Sequence, residues 1–67
     1  MIFDVKGYKL NKDTGVFEEK NQRYIAYADL ADAEAREYTT DYEYDLAIVR
    51  DCDTNELTYY RNGRIIA

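Results

Sequence analysis

Cys52, set between Asp51 and Asp53, is the only thiol in this chain of 67 residues and the first place to look for nucleophilic chemistry. No histidine and no serine are present, so a nucleophile would have to come from Cys52, a threonine or a lysine, with no imidazole to take the proton. The flanking carboxylates oppose thiolate formation and blunt the thiol further. Carboxylate pairs of the kind glycosidases use are abundant, but a chain this short has little room for a cleft that encloses a sugar. The expectation is a protein that is not an enzyme.

Metal chemistry fares no better. Asp51, Asp53 and Asn55 imitate the first three ligands of a calcium-binding EF-hand loop, yet Glu56 stands where that loop needs glycine, and Asn62 where it needs a bidentate glutamate. A plain hairpin turn is the better reading. One cysteine without histidine also excludes a structural zinc and an internal disulfide. No metal and no cofactor are expected.

The charges carry more information. The formal net charge is −5, but between Asp29 and Asp45 seven carboxylates face a single arginine, and the rest of the chain is close to neutral. Such a field repels nucleic acid and anionic membrane and attracts basic surfaces, including those that normally hold nucleic acid. A single-strand binding platform would need Lys6, Lys9, Arg50, Arg61 and Arg64 on one sheet face with Tyr59 or Tyr60. The net negative charge argues against direct nucleic-acid binding.

Tyr38, Tyr42 and Tyr44 alternate with Glu37, Asp41, Glu43 and Asp45. Solvation alone does not require tyrosines there. Carboxylates that steer a basic partner and rings that then bury area make a protein-binding site. The expected site is therefore Asp32, Glu34, Glu37, Asp41, Glu43 and Asp45 as electrostatic contacts, with Tyr38 and Tyr42 as anchors. Tyr44 has an alternative place in the core, on the strand face of Leu46 and Ile48.

The elements that must position these residues fit one small domain spanning residues 1–67, marginal in stability because it buries only about 60% of its unfolded surface. MIFDVKGYKLN reads as a strand with Phe3 and Val5 on one face and a bulge at Gly7; KDTG is a turn. VFEE follows, then polar KNQ, then a second extended run, Arg23 to Ala28. Asp29 is the expected N-cap of a helix over about residues 29–39, with Leu30, Ala31, Ala35 and Tyr38 on one face and Glu34 projecting into it. Tyr44 to Arg50 alternates as a strand, DCDTNE turns, ELTYYR returns, and Asn62-Gly63 offers a type I′ turn before RIIA.

Asp13-Thr14-Gly15-Val16-Phe17 and Asp53-Thr54-Asn55-Glu56-Leu57 echo one another, as two strand-turn-strand units flanking a helix would. The expected fold class is α+β: a small antiparallel β-sheet with one short helix packed on one face.

On the segment from Tyr24 in RYIAYA through Ala33, and on the hairpin LAIVRDCDTNELTYYRNGR, this layout resembles small bacteriophage inhibitor proteins. These are certain anti-CRISPR proteins and the small inhibitors of host RNA polymerase. The resemblance implies a protein without chemistry that occludes a surface of a large host machine, in the anti-CRISPR case the basic groove for guide or target nucleic acid, as a DNA mimic does. The expected partner is a host protein or ribonucleoprotein complex with a basic surface. An RNA polymerase inhibitor, or a small accessory subunit with a merely solubilising acidic face, is the alternative. No apolar run is long enough to span a bilayer, and the opening residues lack the pattern of a signal peptide, so the expected compartment is the cytoplasm, that of the host cell for a phage protein.

Overall fold

Phe3 and Val5 alternate with Asp4 and Lys6, and in the computed structural model, which describes residues 1–67, this alternation builds strand β1 (Phe3–Asn11). The chain continues through β2 (Val16–Ile25), α1 (Ala28–Tyr38), β3 (Leu46–Asp51), β4 (Leu57–Arg61) and β5 (Arg64–Ile65). The strands form one antiparallel sheet in the order β2-β1-β3-β4-β5. The helix lies across β1 and β3, the two strands at the sheet's middle and on the side of β2. The α+β class and the single short helix on one face are as the sequence implies.

The core is a thin layer between helix and sheet. Val5 pairs with Val49 and Gly7 with Ala47 across β1 and β3, and Ala47 with Tyr60 across β3 and β4. Above them Ala31, Ala35 and Tyr38 of α1 are buried. Alanines and a glycine at this layer let the helix backbone come close to the sheet, and Tyr38 and Tyr60 supply the volume. Leu30, expected on the buried face, is 53% exposed. Leu46 and Ile48, on the other side of β3 from Ala47 and Val49, face away from the helix and are half-buried.

Three local expectations are corrected. KNQ does not interrupt the second strand, which runs unbroken for ten residues. Gly7 sits opposite an irregularity, but the extra residue is Lys20 on β2, unpaired between Asn21↔Gly7 and Glu19↔Tyr8. The helix N-cap is Tyr27, in extended backbone and with no side-chain cap bond, and Asp29 lies in the first turn instead. There its carboxylate still favours the positive end of the helix.

The two hairpin turns share one construction. Asn11 Oδ1 accepts from the amides of Asp13 and Thr14, Thr14 Oγ1 accepts from Val16, and the Gly15 amide bonds the Asn11 carbonyl at 2.7 Å. Asp51 Oδ1 does the same for Asp53 and Thr54, Thr54 Oγ1 for Glu56, and the Asn55 amide bonds the Asp51 carbonyl at 2.7 Å. Gly15 and Asn55 both take positive φ, 73° and 63°. Asn62-Gly63 also has positive φ at both positions (52° and 73°), as a type I′ turn requires.

Candidate functional site: the acidic helix and its C-terminal end

The acidic stretch splits by what holds each carboxylate. Asp32 accepts from Arg36 Nε at 2.8 Å, one helical turn on, and from the Tyr60 hydroxyl at 2.8 Å. The Arg36 hydrogen bond, reinforced by that of Tyr60, holds the Asp32 carboxyl below the ordinary carboxylate range against the opposing effect of burial. Arg36 also donates to the Gly63 carbonyl at 2.9 Å and lies 5.6 Å over the Tyr60 ring. The Gly63 amide donates to Thr39 Oγ1 at 2.8 Å. Asp32 is thus part of a latch that ties the helix to the β4–β5 turn.

Glu34 pairs with Arg23 of β2 at 3.3 Å and is largely covered. Asp45 serves the backbone: its Oδ2 accepts from the Leu10 amide at 2.7 Å, and its own amide donates to the Tyr8 carbonyl at 2.9 Å, beside the last β1–β3 pair, Tyr8↔Leu46. Three of the six expected electrostatic contacts, Asp32, Glu34 and Asp45, are therefore engaged within the molecule.

Tyr38 is corrected from anchor to core. It is 1% exposed, and with Tyr42 and Tyr44 it forms a cluster of tilted and edge-on rings 5.3 to 5.6 Å apart. Burial pushes the Tyr38 phenol up to about 12. Tyr44 is half-buried on the helix side, above Gly7, where an added Cβ would run into the Tyr44 ring and stand 2.9 Å from Tyr38 Cδ2. Tyr44 does pack against the core, but the expected strand face is corrected: it lies on the helix side, opposite to Leu46 and Ile48, and precedes β3, which starts at Leu46 and not at Tyr44.

What remains outside is compact. Glu37, Asp41 and Glu43 are exposed and take part in none of the five ion pairs, and Tyr42 is 47% exposed at the edge of the tyrosine cluster. One hydrogen-bonded segment holds all four: the Glu37 carbonyl accepts from the amides of Thr40 and Tyr42, and the Thr40 carbonyl from Glu43. Thr39 and Thr40 hydroxyls cover the Arg36 carbonyl and end the helix. On the flank, Lys9 Nζ donates to the Glu43 carbonyl at 2.9 Å, and Arg61 shares a shallow depression with Glu43 and Asp45 without closing an ion pair.

This placement works against stability. The C-terminal end of a helix carries partial negative charge, so Glu37, Asp41 and Glu43 stand where carboxylates are least favoured. Glu43 in addition adopts φ 57°, a left-handed conformation that favours glycine or asparagine.

The uncovered face of the sheet presents the basic residues differently. Strand alternation puts Lys6, Arg50 and Arg64 there with Tyr8 and Tyr59, leaves Lys9 and Tyr60 on the helix side, and sets Arg61 at the end of β4, where it borders the depression beside Glu43 and Asp45. Lys6 is paired to Glu19 at 3.3 Å and Arg50 to the buried Asp4 at 3.5 Å, which neutralises the centre of that face. Asp51, Asp53 and Asn55 do not converge: the Asp51 carboxylate is spent on the turn amides. No helix is long and apolar enough to cross a membrane.

Comparison of the chain with protein-family models, with curated proteins and with solved structures returns no match.

Proposed function

We propose that this protein is a non-enzymatic binding protein that docks the C-terminal end of its helix on a basic surface of a nucleic-acid-handling complex. In its most specific form it is a phage-type inhibitor of the anti-CRISPR kind, covering a groove that otherwise holds nucleic acid. One observation carries this reading: Glu37, Asp41 and Glu43, without ion-pair partners, are grouped with an exposed Tyr42 at the helix end where their charge costs stability. Acidic residues kept only for solubility gain nothing from that position. The carboxylates speed encounter with a cationic partner, and the Tyr42 ring, already braced by Tyr38, buries area with little entropy to lose.

Affinity capture on the tagged protein, at low and then at high salt, tests the reading, since exposed charge attraction is screened over about 8 Å at physiological ionic strength. The expected result is a Cas effector that is released by salt, displaced by nucleic acid, and not bound by the folded Glu37→Lys, Asp41→Lys, Glu43→Lys variant. A polymerase subunit with the same behaviour would move the target and keep the mechanism. A salt-resistant complex of fixed composition, indifferent to the three lysines, would identify an accessory subunit and overturn the proposal.

A further inference from the structure

β2 is an outer strand of ten residues, seven of them exposed and none fully buried, and its free edge has no partner within the chain. Such an edge is a template for another strand, and natural proteins blunt it with charge and bulges. β2 carries both, with Glu18, Glu19, Lys20 and Arg23 as charges and Lys20 as the bulge. Their arrangement is more specific than protection needs.

The backbone groups that point outward follow from β1. The carbonyls of Ile2 and Tyr8 accept from Cys52 and Asp45 on the β3 side, so even-numbered residues of β1 bond toward β3 and odd-numbered ones toward β2. Through the β1–β2 register, Ile25, Arg23, Asn21, Glu18 and Val16 spend their backbone groups on β1. Tyr24, Gln22, Glu19 and Phe17 present theirs to the outside. The outward Gln22 amide, lacking a strand, is taken by Asn21 Oδ1 at 2.9 Å.

We infer that β2 is a self-pairing edge: a second copy of this chain adds to it antiparallel, about a two-fold axis that runs perpendicular to the sheet midway between the two copies of Asn21. In this register Val16 meets Ile25 of the other copy, Phe17 meets Tyr24, Glu18 meets Arg23 and Glu19 meets Gln22. Apolar faces apolar, ring faces ring, and acid faces base. The outward-pointing residues pair only with one another, giving about eight new backbone hydrogen bonds.

The bulge makes this possible. Without an extra residue between Glu19 and Asn21, alternation would put Phe17 and Tyr24 on opposite faces; with it, both lie on the face away from the helix, and Glu18 and Arg23 both lie on the helix face. Sliding the register by two residues one way sets Glu19 against its own copy and Val16 against Arg23. Sliding it the other way sets Glu18 against Ile25 and Glu19 against Tyr24. Of these registers only the one centred on Asn21 satisfies every pair, and the dimer is one ten-stranded sheet with both helices on one face. Glu37, Asp41 and Glu43 lie off the paired edge, so this inference and the proposed function fail independently.

Sedimentation equilibrium from micromolar to millimolar concentration reads the dimer directly. Arg23→Glu should weaken it about tenfold, because the two-fold axis makes each substitution count twice. The double variant Glu18→Arg, Arg23→Glu should restore it, although it does not restore the internal Arg23–Glu34 pair, so recovery reports the interface and not the fold.

A second variant needs no charge change. Asn21 faces its own copy in a non-hydrogen-bonded pair, with Cα atoms about 4.5 Å apart, within disulfide range. In a Cys52→Ser background and with oxidised glutathione, Asn21→Cys should link two chains, whereas Lys12→Cys at the hairpin turn should not. A protein that stays monomeric throughout, a dimer indifferent to Arg23→Glu or not rescued by the double variant, or equal cross-linking at both positions would overturn the inference.

Discussion

Asp32 and Asp41 are the same side chain on either side of the helix end, and the molecule uses them in opposite ways. Asp32 is held by Arg36 and Tyr60 inside the latch that binds helix to hairpin, whereas Asp41, with Glu37 and Glu43, has no ion-pair partner. The difference shows that an acidic run is not one object. Asp32 and Glu34 in the middle of the helix, and Asp45 just before β3, are structural parts, whereas Glu37 in the last turn and Asp41 and Glu43 beyond it are costs that the rest of the fold supports.

Four experiments test that contrast. The harshest strikes the tyrosine floor under the free region: Gly7→Ala forces a Cβ into the Tyr44 and Tyr38 rings and should cost about 3 kcal/mol in urea unfolding, as overpacking does. Asp32→Ala breaks the held region by stranding the Tyr60 hydroxyl and Arg36. Because the Asp32 and Arg36 side chains are 39% and 42% exposed, solvent softens the loss, and about 1.5 kcal/mol is expected from the same measurement.

The third experiment uses pH and separates acid from alkali. The Asp32 pKa is depressed in the folded state, so its contribution is present above the ordinary carboxylate pKa and is lost as pH falls through the depressed value. Tyr38 is raised, from 10.0 to about 12, so its contribution is complete below pH 10 and is lost as pH rises toward 12. Thermal melts across pH should fall at both ends. Asp32→Asn should flatten the acid limb, and Tyr38→Phe should lessen the alkaline one, the rest of which belongs to Tyr60, whose phenol is also pushed up by burial and by the Asp32 hydrogen bond.

The smallest effect is expected where function is proposed. Replacing Glu37, Asp41 and Glu43 by lysine should leave unfolding free energy within about 0.5 kcal/mol per site, or raise it slightly, since lysine suits the negative end of a helix. A loss comparable to that of Asp32→Ala would erase the distinction between the two regions.

Local chemistry was legible in the sequence, and distant packing was not. Asp-Thr-Gly, Asp-Thr-Asn and Asn-Gly announce their turns because side chain and backbone settle the geometry within a few residues. The alternation in β1 and β3 announces strands, but which face meets the helix depends on how closely the helix approaches. The signal for that was present in small residues, Gly7, Ala47, Ala31 and Ala35, rather than in the larger Leu46 and Ile48. The KNQ segment reads as a break because an exposed edge strand has no need of apolar residues.

The site was half legible for the same reason. The Asp32–Arg36 spacing of one helical turn is visible in the sequence and already hints that this acid is spoken for. The claims on Glu34 and Asp45 come from Arg23 and the Leu10 amide, far away along the chain, and no local pattern reveals them. Tyr38 looked like its neighbours until the sheet was placed beneath it.

The twin turns have a consequence for how the chain assembles. Each hairpin is closed by partners only a few positions apart and so needs nothing from the other, while the seam between β1 and β3 joins residues such as Val5 and Val49 across most of the polypeptide. Bringing that seam together carries the largest loop-closure entropy, and it sets the pace of folding. The molecule is in effect two quick halves waiting for one slow meeting.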